Sequence, residues 1–370
     1  MPTLDDTMRR VLALPREAGT PAAAEARNLV AAHLEALGWR VERRPFAFRP
    51  SGLLGFPVFG AGLGGLGLLL LPLLASGRAP AWAAALVLAG GLALLVVLAV
   101  GIGLGWLSLG GVPREDANLV AVRGDAPVRR WIVAHLDTKA QAQSMAGRLV
   151  AVWVIGLAIA VLLALAIGRL WGPVPLWAAG GGAVLAVLAG ALAGRGRLRG
   201  TSHGARDNGT GVAAALAAAE HTRDASTGIL ITGAEEFGLV GARVFVRERP
   251  AELQGAEVVN LDTIDQEGEL AVVCHDELGA TLGRGEALRL AGAGLQGRVR
   301  RLPLGILTDS VPFARAGTPA ITIGRLTWRT LRVIHTPRDT ADGLSLEMAI
   351  CVGRALGQEP RPRSVGATPP

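Results

Sequence analysis

Tyrosine is absent from this 370-residue chain, and aromatic residues together make up 4% of it. The arginines are not interleaved with aromatics in any groove-like segment and instead flank apolar blocks. The net charge of +7 is therefore not read as nucleic-acid binding. Cysteine is nearly absent too: Cys274 and Cys351 are too few and too far apart for a disulfide framework or a thiolate metal site. The first apolar residues are broken by charges within a few positions, so no signal peptide is expected. Charge itself is missing over long stretches, from Pro50 to Gly77 and again from the residue after Arg78 to Pro113. What fills these gaps is apolar. Hydrophobic residues are 51% of the chain, high for a soluble protein, so part of the chain is expected in lipid.

Each uncharged run exceeds the roughly 20 residues that span a bilayer, and neither keeps the polar stripe of a buried core helix. A transmembrane hairpin is predicted from Leu53 to Ala75 and Ala81 to Leu104, turning at Ser76–Pro80. A second is predicted from Leu149 to Gly168 and Leu170 to Gly194, with Pro173 and Pro175 at its turn. The glycines in these runs suit close helix packing in lipid.

Outside the hairpins the pattern is that of an α/β protein. An amphipathic helix opens the chain, a second covers Pro21 to Leu37, and strands follow at Trp39–Phe48, Asp116–Asp125 and Arg130–Asp137. After Arg195 the order is helix Gly211–Thr222, strand Ile229–Thr232, helix Gly238–Arg249 and strand Ala256–Asp262. Then come helix Ala280–Ala291, strand Val299–Leu302, helix Ser310–Ala316, strand Ala320–Ile323 and helix Ser345–Leu356. This alternation predicts a mixed, largely parallel sheet with helices on both faces, plus four transmembrane helices in two inserted hairpins. Segments 1–50, 109–148 and 195–358 are assigned to one catalytic domain. Segments 51–108 and 149–194 are assigned to the hairpins, and 359–370 to a disordered tail.

Acids and imidazoles recur where strands end: His135 and Asp137 after WIVA, Asp207 in GARDNGTG, Glu235 and Glu236 after ILITGA, Asp262 after EVVNL, and His335 in VIHTPRDT. Ligands collect at the carboxyl ends of such strands. Two histidines and three carboxylates suffice for two zinc-like ions if one carboxylate is shared, leaving open positions for water and substrate. Two adjacent glutamates at a strand tip point to opposite sides, so one can hold a cation while its neighbour stands free over it. His33, His203, His221 and His275 are expected to pack or cap rather than ligate, and Asp309 and Asp339 to make structural hydrogen bonds.

The succession His-x-Asp, Gly-x-x-Asp-Asn-x-x-Gly, Glu-Glu, Asn-x-Asp and His-Thr-Pro-x-Asp-Thr resembles the co-catalytic di-zinc aminopeptidases. That family includes bacterial leucyl aminopeptidases and glutamate carboxypeptidase II-like exopeptidases. The resemblance covers nearly all of the chain outside the apolar blocks. It implies a zinc exopeptidase fold and two Zn2+ ions, other divalent metals being possible. Asp207 would bridge the ions, His135 and Asp262 would complete one site, and Glu236 and His335 the other. Glu235 would act as general base on the water between the ions, with Asp137 fixing the ring of His135 and Asn208 shaping the backbone beside Asp207. Some relatives steady the oxyanion with a tyrosine; here a metal ion or another donor must do so.

The expected function is thus a membrane-embedded, zinc-dependent exopeptidase of aminopeptidase type, with a peptide substrate and the lipid bilayer as its partners. Alternatives are an amidohydrolase acting on N-acyl amino acids or dipeptides, a glutaminyl-cyclase-like enzyme, and an inactive membrane scaffold of the same fold. Arg40, Arg43, Arg44, Arg49, Arg114, Arg148, Arg195, Arg197 and Arg199 lie near the spans on the catalytic side, against Arg78 and Arg169 at the opposite turns. The expectation is a multi-pass cell-membrane protein with a cytoplasmic catalytic domain. Because the second hairpin interrupts the chain between His135 and Asp207, the active-site mouth is expected close to the bilayer.

Overall fold

The computed structural model describes residues 2–104, 106–107, 109–303 and 305–358. The expected disordered tail, 359–370, lies outside the described residues. Two helices open the chain, α1 (Leu4–Leu12) and α2 (Pro21–Ala36). Thr20 caps α2 by accepting from the N–H of Ala23, and Pro21 occupies the first turn, where a missing N–H costs nothing. Strand β1 (Arg40–Phe48) leads into the paired helices α3 (Gly55–Ala75) and α4 (Ala83–Gly103). Strands β2 (Arg114–Val122) and β3 (Arg130–His135) follow, then the second helix pair, α5 (Met145–Gly168) and α6 (Leu176–Gly194).

The remainder alternates: α7 (Thr210–His221), β4 (Thr227–Thr232), α8 (Val240–Glu248), β5 (Glu257–Ile264), β6 (Glu269–Cys274), α9 (Glu277–Gly292), β7 (Gly297–Arg301), α10 (Ser310–Arg315), β8 (Ala320–Leu326), α11 (Trp328–Leu331) and α12 (Glu347–Gly357). One eight-stranded sheet results, in the order β1-β2-β4-β3-β5-β8-β6-β7. Its centre, β4-β3-β5-β8, is parallel, while β1, β2 and β6 run antiparallel to a neighbour. This is the mixed, largely parallel α/β sheet that the alternation predicts. Strand β6 was not anticipated. Its run ELAVVC follows a tight Asp-Gln-Glu-Gly turn that returns the chain antiparallel beside β8, a connection that strand–helix alternation does not foresee.

Alternation along the central strands sorts their side chains between two cores. Ile132, Ala134, Ile229, Ile231, Val259, Leu261, Ile321 and Ile323 pack on one face with α1, α2, α7, α9 and α12. Trp131, Val133, Leu230 and Val258 pack on the other with Phe245 of α8 and Phe313 of α10. Helix α7 is alanine-rich and almost wholly buried, which lets α12 approach closely: a Cβ on Gly353 would lie within 2.1 Å of the Ala214 carbonyl oxygen.

Four helices, within Pro50–Ala75, Ala83–Gly103, Met145–Gly168 and Leu176–Gly194, are long and apolar enough to cross a membrane. They pack as one bundle with its own apolar core. Small residues set the closest approach, between α3 and α6. A Cβ on Gly60 would come within 2.3 Å of that of Ala193, and one on Gly190 within 2.5 Å of the Gly60 carbonyl oxygen. Helix α5 begins at Met145, a turn earlier than its uncharged run, because Ser144 caps it on the N–H of Gly147. Arg148 therefore stands in its first turn. At the far end of the bundle Arg169 ties the hairpins together, donating to the carbonyls of Leu73, Ser76 and Ala79. The outer face is apolar, with Leu86, Val97 and Leu157 exposed. Tryptophans mark both ends: Trp82, Trp171 and Trp177 beside the far turns, and Trp106 and Trp153 toward the sheet.

Candidate metal centre

Three parallel strands and two loops deliver the polar residues to one place. His135 is the last residue of β3, Glu235 and Glu236 follow β4, Asp262 lies near the end of β5, and His335 comes from the loop after α11. Asp207 precedes α7 on a loop whose Asp207–Asn208 peptide bond is cis. The chain leaves the ordinary regions at several of these points: Ala234, Thr263 and His335 all have positive φ, near 51°, 53° and 62°. Non-glycine residues tolerate that only where the surroundings enforce it.

The enforcement is visible in hydrogen bonds. Asn208, fully buried, accepts from the N–H groups of Gly211 and Thr263 at 3.0 and 3.1 Å and donates to the Leu261 carbonyl at 2.8 Å. It thereby locks the start of α7 to the end of β5. Asp339 accepts from the N–H groups of Arg206 and Asp207 at 2.9 and 3.1 Å, and Asp309 accepts from Thr232. Both aspartates are structural acceptors, as expected. Buried Arg16 bonds the carbonyls of Leu136, His203 and Gly204, joining the N-terminal segment to the β3 end and the Asp207 loop. Burial draws its pKa down to about 10, against the charges of Asp339, Asp137 and Asp207.

Around Asp207 the ligand-type atoms form two groups of three, His135–Asp207–Asp262 and Asp207–Glu236–His335, each with its atoms within 4.8 Å of one another. His135 Nε2 is 3.2 Å from Asp207 Oδ1 and 4.0 Å from Asp262 Oδ1. His335 Nε2 is 3.0 Å from Asp207 Oδ2 and 3.4 Å from Glu236 Oε2. Tetrahedral ligands about 2.1 Å from a zinc ion lie roughly 3.4 Å apart. The two groups fit that spacing, one oxygen of Asp207 facing each, and the nitrogen–oxygen donor set is one that zinc accepts. Glu235 Oε2 is 4.0 Å from His135 Nε2 and belongs to neither group.

Asp137 sits behind the centre, and its carboxylate does more than orient one ring. Its two oxygens accept from the N–H groups of Glu235 and Glu236, at 2.9 and 3.1 Å. His135 Nδ1 lies 3.1 Å from the Asp137 carbonyl oxygen and 3.7 Å from its carboxylate. The main chain of Asp137 thus holds the histidine, and its side chain holds the glutamate pair.

Buried charge of one sign dominates. Burial raises the pKa of Glu235 well above the carboxylate range; His135 opposes this, while Glu236, Asp309 and Asp262 reinforce it. Asp262 is pushed up to about 6 by burial, against the pull of His135. Glu236 resists its burial because His335 and Lys139 hold it down at about 2, and the two histidines hold Asp207 lower still. Burial disfavours charge on His135, yet Glu235, Asp137 and Asp207 hold its pKa well above the usual value. Such a site draws cations.

Sequence reading missed one group here. Lys139 is buried, lines the same cavity, and sits 2.5 Å from Glu236 Oε2. The signal was available: it is the only lysine among 37 basic residues. Glu236 Oε1 and His335 Nδ1 remain buried without a partner among the described residues, while Lys139 meets Glu236 Oε2, the same oxygen that lies 3.4 Å from His335 Nε2. The remaining histidines lie elsewhere. His33 bonds Thr7 and Glu220, His203 the Leu12 carbonyl, His221 the Ala217 carbonyl, and His275 bonds Ser310.

The cluster opens into a cavity of about 1070 Å³. Both hairpins reach its wall: Phe56 and Phe59 of α3, Ala99 and Val100 of α4, and Met145 and Arg148 of α5. The sequence tied only the second hairpin to the mouth.

Residues 189–358 match peptidase family M28. Among curated proteins none matches the sequence. Among solved structures the chain is similar to an aminopeptidase from Aneurinibacillus sp. strain AM-1, with TM-score 0.56 and 16% identity, over 99% of this chain and 95% of that one. It is similar to BSAP, a zinc aminopeptidase from Bacillus subtilis, with TM-score 0.56 and 16% identity over 96% and 95% of the two chains. A glutaminyl cyclase of Fimbriiglobus ruber also matches, with TM-score 0.54 and 16% identity over 96% and 93%. At these identities the likeness is one of fold.

Asn208 gives a test of how the centre is framed. Asn208→Ala leaves two N–H groups and a carbonyl without partners, at about 1–3 kcal/mol for each buried group. We expect a loss of at least about 3 kcal/mol in stability, read as a lower thermal midpoint of the purified protein. An unchanged midpoint would show that the frame lies elsewhere.

Proposed function

We propose, from the match of residues 189–358 to peptidase family M28, that this protein is a membrane-embedded, zinc-dependent exopeptidase of aminopeptidase type. The observation that carries the reading is the pair of complete ligand groups sharing Asp207, with Glu235 beside them and in neither. A glutaminyl-cyclase-like reaction would call on one group; two complete groups favour hydrolysis.

His135 and Asp262 would hold one zinc ion, Glu236 and His335 the other, and Asp207 both. Zinc bound there supplies Lewis acidity that polarises the scissile carbonyl and makes water acidic enough to attack near neutral pH. The chain's own residues do the rest. Glu235, beside both ligand groups and a member of neither, takes a proton from the attacking water and returns it to the leaving amine nitrogen. Asp137 fixes the main chain of both glutamates, so the base and its neighbouring ligand keep their places. Lys139 offsets part of the negative charge on Glu236.

The four apolar helices, their outward-facing aliphatic surface and the tryptophans at both ends suit a bilayer, with aromatic rings at its two interfaces. The arginine excess on the catalytic side supports a cytoplasmic catalytic domain. Substrate would be a peptide presented near the membrane surface, since the cavity wall is made partly by the hairpins.

Glu235→Gln should leave two zinc ions bound while lowering turnover by at least about a thousandfold. Asp207→Asn should lose metal and activity together. Metal analysis with turnover of aminoacyl and N-acyl fluorogenic amides, with and without chelator, checks both. A Glu235→Gln protein keeping a tenth of the wild-type rate would remove it as the base.

Sidedness has its own test. An impermeant thiol reagent on intact cells should label Arg78→Cys; labelling of Gln358→Cys instead would reverse the topology.

A further inference from the structure

The two ligand groups share Asp207 but face different charges. Beside His135, Asp207 and Asp262 stands a further carboxyl group, that of Glu235. Among the described residues no lysine or arginine forms an ion pair with a member of this group. Beside Asp207, Glu236 and His335 stand two cations. Lys139 Nζ lies 2.5 Å from Glu236 Oε2, and both side chains are 4% exposed, so the pair is closed off from water. Glu236 is the one carboxylate within ion-pair distance of Lys139 among the described residues. Arg148, in the first turn of α5, faces Glu236 first and Glu235 second.

A zinc ion held by Asp207, Glu236 and His335 has to lie close to the Lys139 ammonium. If it takes Glu236 Oε2, it displaces Lys139 and strands a buried charge, which is costly. If it takes Oε1, which is buried without a partner, ion and ammonium sit on one carboxylate, and like charges repel strongly where water is scarce. Either course opposes binding. We propose that Lys139 makes the two sites unequal. The site of His135, Asp207 and Asp262 binds zinc tightly, and the site of Asp207, Glu236 and His335 is a weaker, exchangeable one. Repulsion between two ions on a shared carboxylate weakens whichever binds second; Lys139 decides which site that is and widens the gap. It acts through Glu236 and is not itself a ligand. At limiting zinc the protein holds one ion, with the ammonium standing in for the other beside Glu236. This rests on the two-ion reading above and adds the order in which the sites fill. An enzyme that needs both ions is then governed by zinc supply through the second site.

The test is a zinc titration of metal-free protein in nanodiscs, in competition with a chromophoric chelator. It is run on wild type, Lys139→Met, Lys139→Arg, His135→Ala and His335→Ala. Wild type should take up one ion tightly and a second at least about a hundredfold more weakly. Lys139→Met should tighten the weaker event by about tenfold or more and move the tighter one less. Lys139→Arg, which keeps the charge, should preserve the gap. His335→Ala should keep the tight event, and His135→Ala should lose it. A weaker event that Lys139→Met leaves unchanged would overturn the proposal, as would a tight event that survives in His135→Ala and disappears in His335→Ala. The two histidine variants decide the order of filling even if Lys139→Met does not fold. Two ions bound with affinities indifferent to residue 139 would leave the two-ion reading standing without this inference. A wild-type protein that takes up no zinc would remove both.

Discussion

Repulsion among buried carboxylates is the constraint on which the rest of this structure turns. Asp207, Glu235, Glu236 and Asp262 crowd one spot, with Asp137, Asp309 and Asp339 buried close behind. Two imidazoles, the ammonium of Lys139 and the guanidinium groups of Arg16, Arg148 and Arg206 answer them from the same region. Unpaired charge out of water is among the most costly features a fold can carry. It persists here because Asp137 and Asp339 behind the centre are committed to main-chain N–H groups and Asp309 to the Thr232 hydroxyl, and because Asn208 binds α7 to β5. The ligand side chains are presented by strand ends that the sheet core would hold in place regardless.

The helical hairpins change what such a centre faces. The first interrupts the chain between β1 and β2, and the second between His135 and Asp207, yet both end at the same cavity. Contacts of small residues between α3 and α6 make one bundle of them, and Arg169 closes it at the far end. The cavity over the candidate metal centre therefore has part of its wall built by helices long and apolar enough to cross a membrane.

Much of this was legible from residue order, for a physical reason. In a parallel sheet the strands end together, so a polar residue closing each of several apolar runs reports on one place in space. His135, Glu235, Glu236 and Asp262 are of this kind, and Asp207 and His335 sit in glycine- or proline-marked loops that join them. The hairpins were legible because a missing charge over twenty residues has few explanations. Other features were hidden. Strand β6 depends on a turn back toward β8 that no local pattern encodes. The reach of the first hairpin to the cavity follows from bundle packing, a long-range matter. Asp137 looks like a histidine partner by spacing, but whether its carbonyl or its carboxylate meets the ring depends on where the β4 loop passes. Lys139 and Arg148 needed different arguments, one from composition and one from the cap at Ser144.

If the carboxylate cluster is a cation site, bound zinc must stabilise the fold, because the ions relieve a repulsion that the apo protein endures. Thermal unfolding of zinc-free protein in nanodiscs, followed as zinc is added, measures this most directly. Free zinc at a hundred times its dissociation constant should add about 2.7 kcal/mol for each site, raising the midpoint by roughly 5 °C or more. The rise should be absent in Asp207→Asn. A wild-type midpoint that zinc leaves unchanged or lowers would contradict the account at its centre.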